Sequence, residues 1–258
     1  MTLTDKEFIS LIIKNQLNED IDSDGFKKIK TALDDGANIH SNNERVGTPL
    51  HIAASSGNIP LTKLLLEKGA DINYNKPPGI FNRKFTPLYH VINVIIMTDS
   101  DIKFLAPTTA TGLWTAETEE GRIKQREEAA EKLRKFQRKR VEAVKFLLEN
   151  GADLKIKNFE GKMPIEETAS RKYDELTNLL MKYAVKDPKY KPSENAHQGI
   201  KNAFKLYQGK VVDEAIGKKL GKDPVDNINS FLGGNKKRKS KKSKAKKRTT
   251  RKNKKSKK

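Results

Sequence analysis

Residues 47–73 read GTPLHIAASSGNIPLTKLLLEKGADIN, and this stretch contains the signals that begin and end two consecutive helices. Thr48 stands where a helix N-cap is expected, because its hydroxyl can accept a backbone hydrogen bond and Pro49 fits the first helical turn. Gly57 ends the short apolar helix that follows. A second helix then presents leucines at helical spacing and ends at Gly69, where a left-handed C-cap favours glycine. The stretch therefore predicts a pair of helices joined by a tight turn.

The ending of this stretch occurs three times in the chain. Gly-Ala-Asn begins at Gly36, and Gly-Ala-Asp begins at Gly69 and again at Gly151. Because Gly36 and Gly69 lie 33 residues apart, the two endings define a fixed period. A period of this length indicates a repeat protein, in which each unit buries its apolar face against its neighbours.

The period, the Thr-Pro-Leu-His box that begins at Thr48 and the Gly-Ala-Asp ending together resemble the ankyrin repeat. The resemblance covers roughly residues 4–184 and implies an all-α solenoid of about four repeats, each a hairpin turn followed by two antiparallel helices. It also implies recognition of a protein partner by the hairpin tips and the concave face. The short array, rich in Lys, Asn and Ile and followed by a lysine-rich tail, further resembles ankyrin proteins of large DNA viruses of eukaryotes.

The other copies of the repeat depart from the second one. The first copy lacks the box, although Thr4 and Glu7 predict a capping box at the start of its first helix. The third copy begins at Thr86 and has Tyr89 in place of the histidine. The fourth copy has Met163 in place of the threonine, which leaves the N-cap of its first helix in question.

The third copy also contains an insertion at about residues 98–140, which lengthens it by 44 residues relative to the second copy. The second half of the insertion is rich in Glu, Lys, Arg and Ala, with oppositely charged side chains at i,i+4 spacing. This composition predicts one long helix that runs without a break to Asn150 and projects well beyond the solenoid. We expect residues 99–115 to form the loop that leads into it, with Trp114 packed on the body of the protein.

Charge and composition divide the chain further. Of the 53 Lys and Arg residues, 16 lie in residues 236–258, which contain no acidic residue. A segment with so many like charges, and with only Ser, Thr, Asn and Ala between them, cannot bury a core, and it is expected to be disordered. We therefore predict a solenoid over residues 1–184, a C-terminal extension over 185–232 with short helices at 193–207, 211–220 and 223–232, and a disordered basic tail over 233–258.

The basic tail has several possible roles. It fits a nuclear localisation signal read by an import receptor, and it equally suits nucleic acid, whose phosphates bind cation clusters without sequence preference. Contact with an anionic membrane surface is less favoured because no apolar anchor adjoins the tail, and a purely solubilising appendage is a further alternative. The candidate residues for localisation or nucleic-acid contact are Lys236, Lys237, Arg238, Lys239, Lys246, Lys247 and Arg248.

The residue content argues against most catalytic and metal sites. Cysteine is absent, so disulfides and thiolate chemistry are excluded, and we expect an intracellular protein of the nucleus or cytoplasm without a transmembrane segment. Residues 20–25 copy the opening of a calcium loop, but Thr31 stands where a bidentate glutamate is required, which favours a helix-linking turn. The four histidines lack metal-ligand spacing. We therefore predict no metal site, no cofactor and no catalytic residues.

The resemblance places the partner-binding surface at the hairpin tips and on the adjacent inner helices, whose side chains are released from packing. The candidate residues at these positions are Glu44, Arg45, Ser55, Ser56, Asn82, Arg83, Asn93, Phe159, Glu160, Ser170 and Arg171. These residues include both acidic and basic side chains and few aromatic ones, so their chemistry does not indicate which protein is the partner.

These observations favour a non-enzymatic protein-interaction scaffold or adaptor whose basic tail supplies nuclear localisation or nucleic-acid contact. The alternative is a nucleic-acid-binding protein, in which the tail acts together with the projecting helix. The basic residues of that helix are Arg134, Lys135, Arg138, Lys139 and Arg140. The two hypotheses differ in whether nucleic-acid binding survives removal of the tail.

Overall fold

The computed structural model describes residues 3–75, 85–104 and 119–215. Over these residues the chain is all-α, and its hairpin turns include an isolated antiparallel bridge between Asn43 and Gly47. The helices are α1 Asp5–Asn15, α2 Asp24–Asp34, α3 Pro49–Ser56, α4 Ile59–Glu67, α5 Pro87–Phe104, α6 Glu119–Glu149, α7 Pro164–Ser170, α8 Asp174–Ala184 and α9 Gln198–Ala215. None of these helices is long and apolar enough to cross a membrane.

The first eight helices form four consecutive pairs, which we number as repeats one to four. Within each pair the two helices pack together, and the first helices of successive repeats stack, α1 on α3, α3 on α5 and α5 on α7. Buried apolar residues form one cluster in repeats one and two and another that continues through repeats three and four into α9. This stacking is the arrangement expected for a solenoid, because each helix pair buries its apolar face against the next.

Local sequence signals begin and end the helices as predicted. Thr4 and Glu7 form the capping box of α1, with the Thr4 amide donating to the Glu7 carboxylate at 2.9 Å. Thr48 is the N-cap of α3, and its hydroxyl contacts Nδ1 of His51 at 2.8 Å. Gly57 then ends α3 with a φ of 77°, in the left-handed region that favours glycine.

The fourth position of each box connects its repeat to the segment that follows. In repeats two, three and four this side chain forms a hydrogen bond with a backbone group of the segment that follows the repeat. It therefore supports its own helix and also fixes the distance to that segment. The three contacts are His51 Nε2 to the Phe85 carbonyl at 3.0 Å, Tyr89 Oη to the Lys162 carbonyl at 3.3 Å and the Ser193 amide to Glu166 Oε1 at 3.0 Å. Because a carbonyl oxygen can only accept, His51 Nε2 is the donor and Nδ1 is the acceptor for Thr48.

The structure answers the question raised by Met163. Met163 is the N-cap of α7, but its side chain makes no capping hydrogen bond. Instead, the buried carboxylate of Glu166 accepts the Met163 amide through Oε2 at 3.0 Å. A carboxylate in the first turn of a helix satisfies an amide that would otherwise have no partner, so the repeat begins normally without a threonine.

The third repeat differs from the prediction in its first helix. α6 is continuous to Glu149, as predicted, but α5 extends to Phe104, so residues 99–104 are helical and not part of a loop. The two helices pack side by side, and Ala130 in the N-terminal half of α6 is only 4% exposed. The prediction of one long helix is confirmed, but α6 does not stand alone, because pairing with a longer α5 buries apolar surface that α6 would expose by itself. Trp114 lies outside the described residues.

α6 contacts both adjacent repeats and also repeat one, which is not adjacent to repeat three. Lys139 forms an ion pair with Glu19 of repeat one at 2.7 Å, and the Arg140 guanidinium donates to the Ser55 carbonyl of repeat two at 2.8 Å. Gln137 donates to the Tyr173 hydroxyl of repeat four at 2.8 Å. In a simple solenoid each repeat contacts only the adjacent ones, so the ion pair with Glu19 is a cross-link that the repeat pattern alone does not supply.

The C-terminal extension covers the last repeat. Tyr190 and Phe204 are buried with the apolar cluster of repeats three and four, and their rings lie 5.4 Å apart. α9 runs through Gly209, where we expected a break between two short helices. One glycine costs a helix about 1 kcal/mol, which is less than the packing of its apolar face contributes. The predicted helices after residue 215 and the basic tail lie outside the described residues.

Candidate protein-binding surface

The hairpin tips of repeats two and four are built in the same way. In repeat two, Asn43 and Gly47 exchange backbone hydrogen bonds of 3.0 and 2.8 Å, and the Asn43 side chain accepts the Arg45 amide at 2.9 Å. In repeat four, the Asn158 amide donates to the Lys162 carbonyl at 2.9 Å, and the Asn158 side chain accepts two amides of its own turn. Such asparagine-centred turns hold the tip residues between them in a defined conformation.

Most of the described candidates reach the surface, and repeat four carries the largest share. Phe159 at the tip of repeat four is 52% exposed, so its ring is accessible to a partner. Ser55 and Asn93 on the inner helices are half-buried. The exposed candidates are Glu44, Arg45, Phe159, Glu160, Ser170 and Arg171.

One candidate was wrong, and two cannot be placed. Ser56 is only 6% exposed, and its hydroxyl donates to the Ala53 carbonyl at 2.9 Å within the last turn of α3. It is buried because α3 is short and its last turn packs in the interior, so it offers nothing to a partner. Asn82 and Arg83 lie outside the described residues.

The repeat-four candidates are connected by a charged network. Lys162 contacts Glu160 at 2.8 Å and Glu167 at 3.6 Å, and Arg171 donates to Glu167 at 2.9 Å. Glu167 is buried, whereas the other three side chains reach solvent. The hydrogen bond to Glu160 is the main reason that the pKa of Lys162 lies above its usual value. This network, defined as Glu160, Lys162, Glu167 and Arg171, holds the tip of repeat four against α7.

Two members of the network, Lys162 and Glu167, were missed by the sequence analysis. The i,i+4 spacing of Glu167 and Arg171 was a usable signal. The sequence carries no comparable signal for the pairing of Lys162 with Glu167, because this pairing requires the hairpin to fold back onto α7. Tyr89 of repeat three lies beneath the network, and burial, followed by the charge of Glu167, raises the pKa of its hydroxyl.

A groove of 950 Å³ adjoins the network on its C-terminal side. One wall belongs to repeat four and the other to residues 191–200 of the extension. Met163, Ala169 and Ile200 contribute buried apolar side chains to its lining. The groove thus continues the surface of repeat four beyond the last complete helix pair.

The basic residues of α6 are mostly engaged within the protein. Arg134 and Arg138 lie 3.4 and 3.6 Å from the Glu131 carboxylate, and Lys139 pairs with Glu19. Arg140 is half-buried, and burial lowers the pKa of its guanidinium. Two carboxylates, Glu131 and Glu19, thus offset part of the positive charge of the five candidate basic residues of α6, which weakens the contact with phosphates that the nucleic-acid hypothesis requires.

The acidic turn between α1 and α2 is shaped by its own backbone. Asp20 accepts the Asp22 amide at 2.9 Å, and Ser23 caps α2 by accepting the Phe26 amide at 3.3 Å. Across the described ranges, no group of three or more His, Asp or Glu side chains is placed to hold a metal ion. The tail candidates from Lys236 to Arg248 lie outside these ranges.

Comparison with known proteins agrees with this architecture. The family model of the ankyrin repeat matches residues 47–76, which comprise repeat two from the end of its hairpin through α4 and the following turn. No curated protein sequence matches the chain significantly. The chain therefore contains an ankyrin repeat at residues 47–76, which lies within an all-α array of stacked helix pairs.

Proposed function

We propose that this protein is a non-enzymatic scaffold that binds a protein partner through repeat four and the adjoining inner-helix surface. Ankyrin repeats are protein-interaction modules, and the rigid stacking of helix pairs holds their surface residues in place. The charged network around Glu167 is the observation that carries the proposal. It preorganises exposed charges beside the exposed ring of Phe159, so little conformational entropy is lost on binding.

The proposal predicts that two substitutions on repeat four weaken partner capture. In the full-length chain, Phe159→Ser removes the exposed ring and Ser170→Arg introduces a bulky charge, and both side chains lie outside the core. We expect the double variant to retain its melting temperature and to recover about tenfold less of the specific partner in quantitative affinity capture, since interface anchors carry most of the binding energy.

A matched control uses the outer helix α8, where Glu175→Arg and Lys182→Ser change two exposed residues of the same repeat. This variant should capture the partner as the parent chain does. An equal loss of partner recovery in both variants would show that the partner does not bind the proposed surface. Absence of any partner that distinguishes the variants would contradict the scaffold proposal itself.

We further propose that the basic tail provides nuclear localisation or nucleic-acid contact and accounts for all of the nucleic-acid binding. Sixteen Lys and Arg residues in residues 236–258 support this role, because binding of cations to phosphates releases counterions. Deletion of residues 236–258 should remove salt-sensitive binding to a single-stranded oligonucleotide and reduce nuclear accumulation. Binding that persists after the deletion would favour the alternative, in which α6 contacts nucleic acid despite its internal ion pairs.

A further inference from the structure

The groove between repeat four and the extension has walls that are fastened to each other. Glu166 is buried at their junction, where Oε2 accepts the Met163 amide and Oε1 accepts the Ser193 amide, each at 3.0 Å. Charge-assisted hydrogen bonds of this kind are stronger than neutral ones, so the spacing of the walls is defined. The groove is therefore a preformed cleft and not a gap between two loosely attached segments.

The rim of this groove is cationic. Lys157, Lys172 and Lys191 are exposed, and over the described residues no carboxylate lies within ion-pair distance of their ammonium groups. Of the three acids of the lining, Glu160 pairs with Lys162 and both oxygens of Glu166 accept amides, so the exposed Glu194 is the one acid set against the three rim lysines among the described lining residues. Cations without partners around a cleft attract a ligand of opposite charge.

Lys172 also occupies a conformation that does not suit a lysine. Its φ of 59° lies in the left-handed region, and it is the one residue other than glycine with a positive φ among those described. The corresponding turn of repeat two has Gly57 at this place, with a φ of 77°. An L side chain is disfavoured there, and residues kept in such conformations cluster at ligand-binding sites. The lysine thus occupies a backbone position that favours glycine.

The lining of the groove favours a peptide over a nucleic acid. Its lining includes Met163, Ala169, Pro192 and Ile200, which suit an apolar side chain. None of the described residues that line it is Phe, Tyr or Trp, so the stacking platforms on which single-stranded bases rest are missing from it. An extended segment that alternates apolar and acidic residues matches both the apolar floor and the cationic rim.

From these observations we infer that the groove binds an acidic, extended segment of a protein partner, with carboxylates at the three rim lysines and an apolar side chain on the floor. The inference rests on the proposed scaffold function and adds to it the chemistry of the partner. It gives the C-terminal extension a second role, since residues 191–200 form one wall of the binding cleft as well as part of the cap on repeat four.

The test uses the full chain and a fluorescently labelled peptide of alternating aspartate and leucine residues. The groove variant combines Lys157→Gln, Lys172→Gly and Lys191→Gln. The control variant combines Lys6→Gln, Lys30→Gln and Lys182→Gln, which are exposed elsewhere and change the net charge equally. This match matters because the basic tail also attracts the probe. At about 0.15 M salt we expect the groove variant to raise Kd about tenfold and the control less than about twofold.

The single variant Lys172→Gly separates binding from stability. Glycine accepts the left-handed conformation, so this variant should have an unchanged or higher melting temperature while it still weakens probe binding. Equal losses of affinity in the groove and control variants would overturn the inference, because they would indicate general charge attraction.

Two further outcomes also overturn the inference. In the first, a single-stranded oligonucleotide binds the parent chain with higher affinity than the peptide does, and the groove substitutions remove this difference in affinity. Nucleic acid would then be the ligand of the groove. If the Phe159 and Ser170 substitutions abolish partner capture while the groove variant binds the peptide as the parent does, the scaffold function stands and the groove assignment falls.

Discussion

We expect the replacement of Leu65 by alanine to lower the free energy of unfolding by about 2–5 kcal/mol. The shorter side chain leaves a cavity, and the stacked helices around it cannot move far enough to fill it. Leu65 is 0% exposed and belongs to the apolar cluster of repeats one and two, together with Ile29, Leu50 and Leu61. The effect should extend to repeat one, since a solenoid derives much of its stability from the interfaces between repeats. Urea denaturation of the full chain, followed by circular dichroism, measures the change.

The matched control is Leu17→Ala. Leu17 has the same side chain but is 60% exposed in the turn between α1 and α2, so its truncation should change the free energy of unfolding by less than about 0.5 kcal/mol. Similar losses for both variants would show that Leu65 is not at an interface between repeats and that the repeat register is incorrect.

Gly57→Ala should be the second strongly destabilising change, with a cost of about 2–4 kcal/mol from two sources. Its φ of 77° disfavours any residue with a Cβ. In addition, a Cβ at this position would lie 2.7 Å from Cβ of Lys139 and 2.9 Å from its carbonyl carbon, so α6 would have to shift away from the turn. Thermal denaturation of the variant measures the combined effect.

Gly69→Ala measures the conformational cost alone, which is the cost of placing a residue with a Cβ at a positive φ. Gly69 has a φ of 90°, but a Cβ there would meet nothing within 4 Å. It should therefore cost only the conformational part, about 1–2 kcal/mol. The difference between the two variants reports how closely α6 packs on the turn of repeat two. Equal costs for the two variants would mean that this contact contributes nothing to stability.

The position of α6 has a wider consequence for the array. Its ion pair with Glu19 connects repeat three to repeat one, which is not adjacent, and its hydrogen bonds to Ser55 and Tyr173 strengthen the contacts with the two adjacent repeats. An ordinary solenoid can lose stability locally, because each repeat depends only on its neighbours. We expect these contacts to make repeats one to four unfold more nearly as a single unit, and to hold the network of repeat four in register with the rest.

Much of the fold could be predicted from local signals. The caps at Thr4 and Thr48, the left-handed glycine at Gly57 and the continuity of α6 all depend on residues within a few positions of one another. Such features follow from backbone conformation and side-chain propensity, which the order of residues expresses directly. The same holds for the hairpin tips, because asparagine turns close over four residues.

The candidate surface could be predicted only in outline. Glu44, Phe159 and Arg171 are exposed, as their places in the repeat indicate, whereas Ser56 is buried by the packing of a short helix. Lys172 carries no sequence signal of its left-handed conformation, since lysine is not a usual residue there. Side-chain exposure at an inner helix depends on how deeply each turn inserts between its neighbours, which varies from repeat to repeat.

By itself, the sequence determined the repeat period, the helix boundaries of repeat two and the concentration of basic residues after residue 235, because these depend on neighbours along the chain. Only the tertiary structure decided that α5 lengthens to pair with α6, that Glu166 joins repeat four to Ser193, and that a cationic groove lies between them. These features depend on contacts between residues far apart in sequence. Their energies arise from burial and from charge pairing across the fold, which local propensity does not contain.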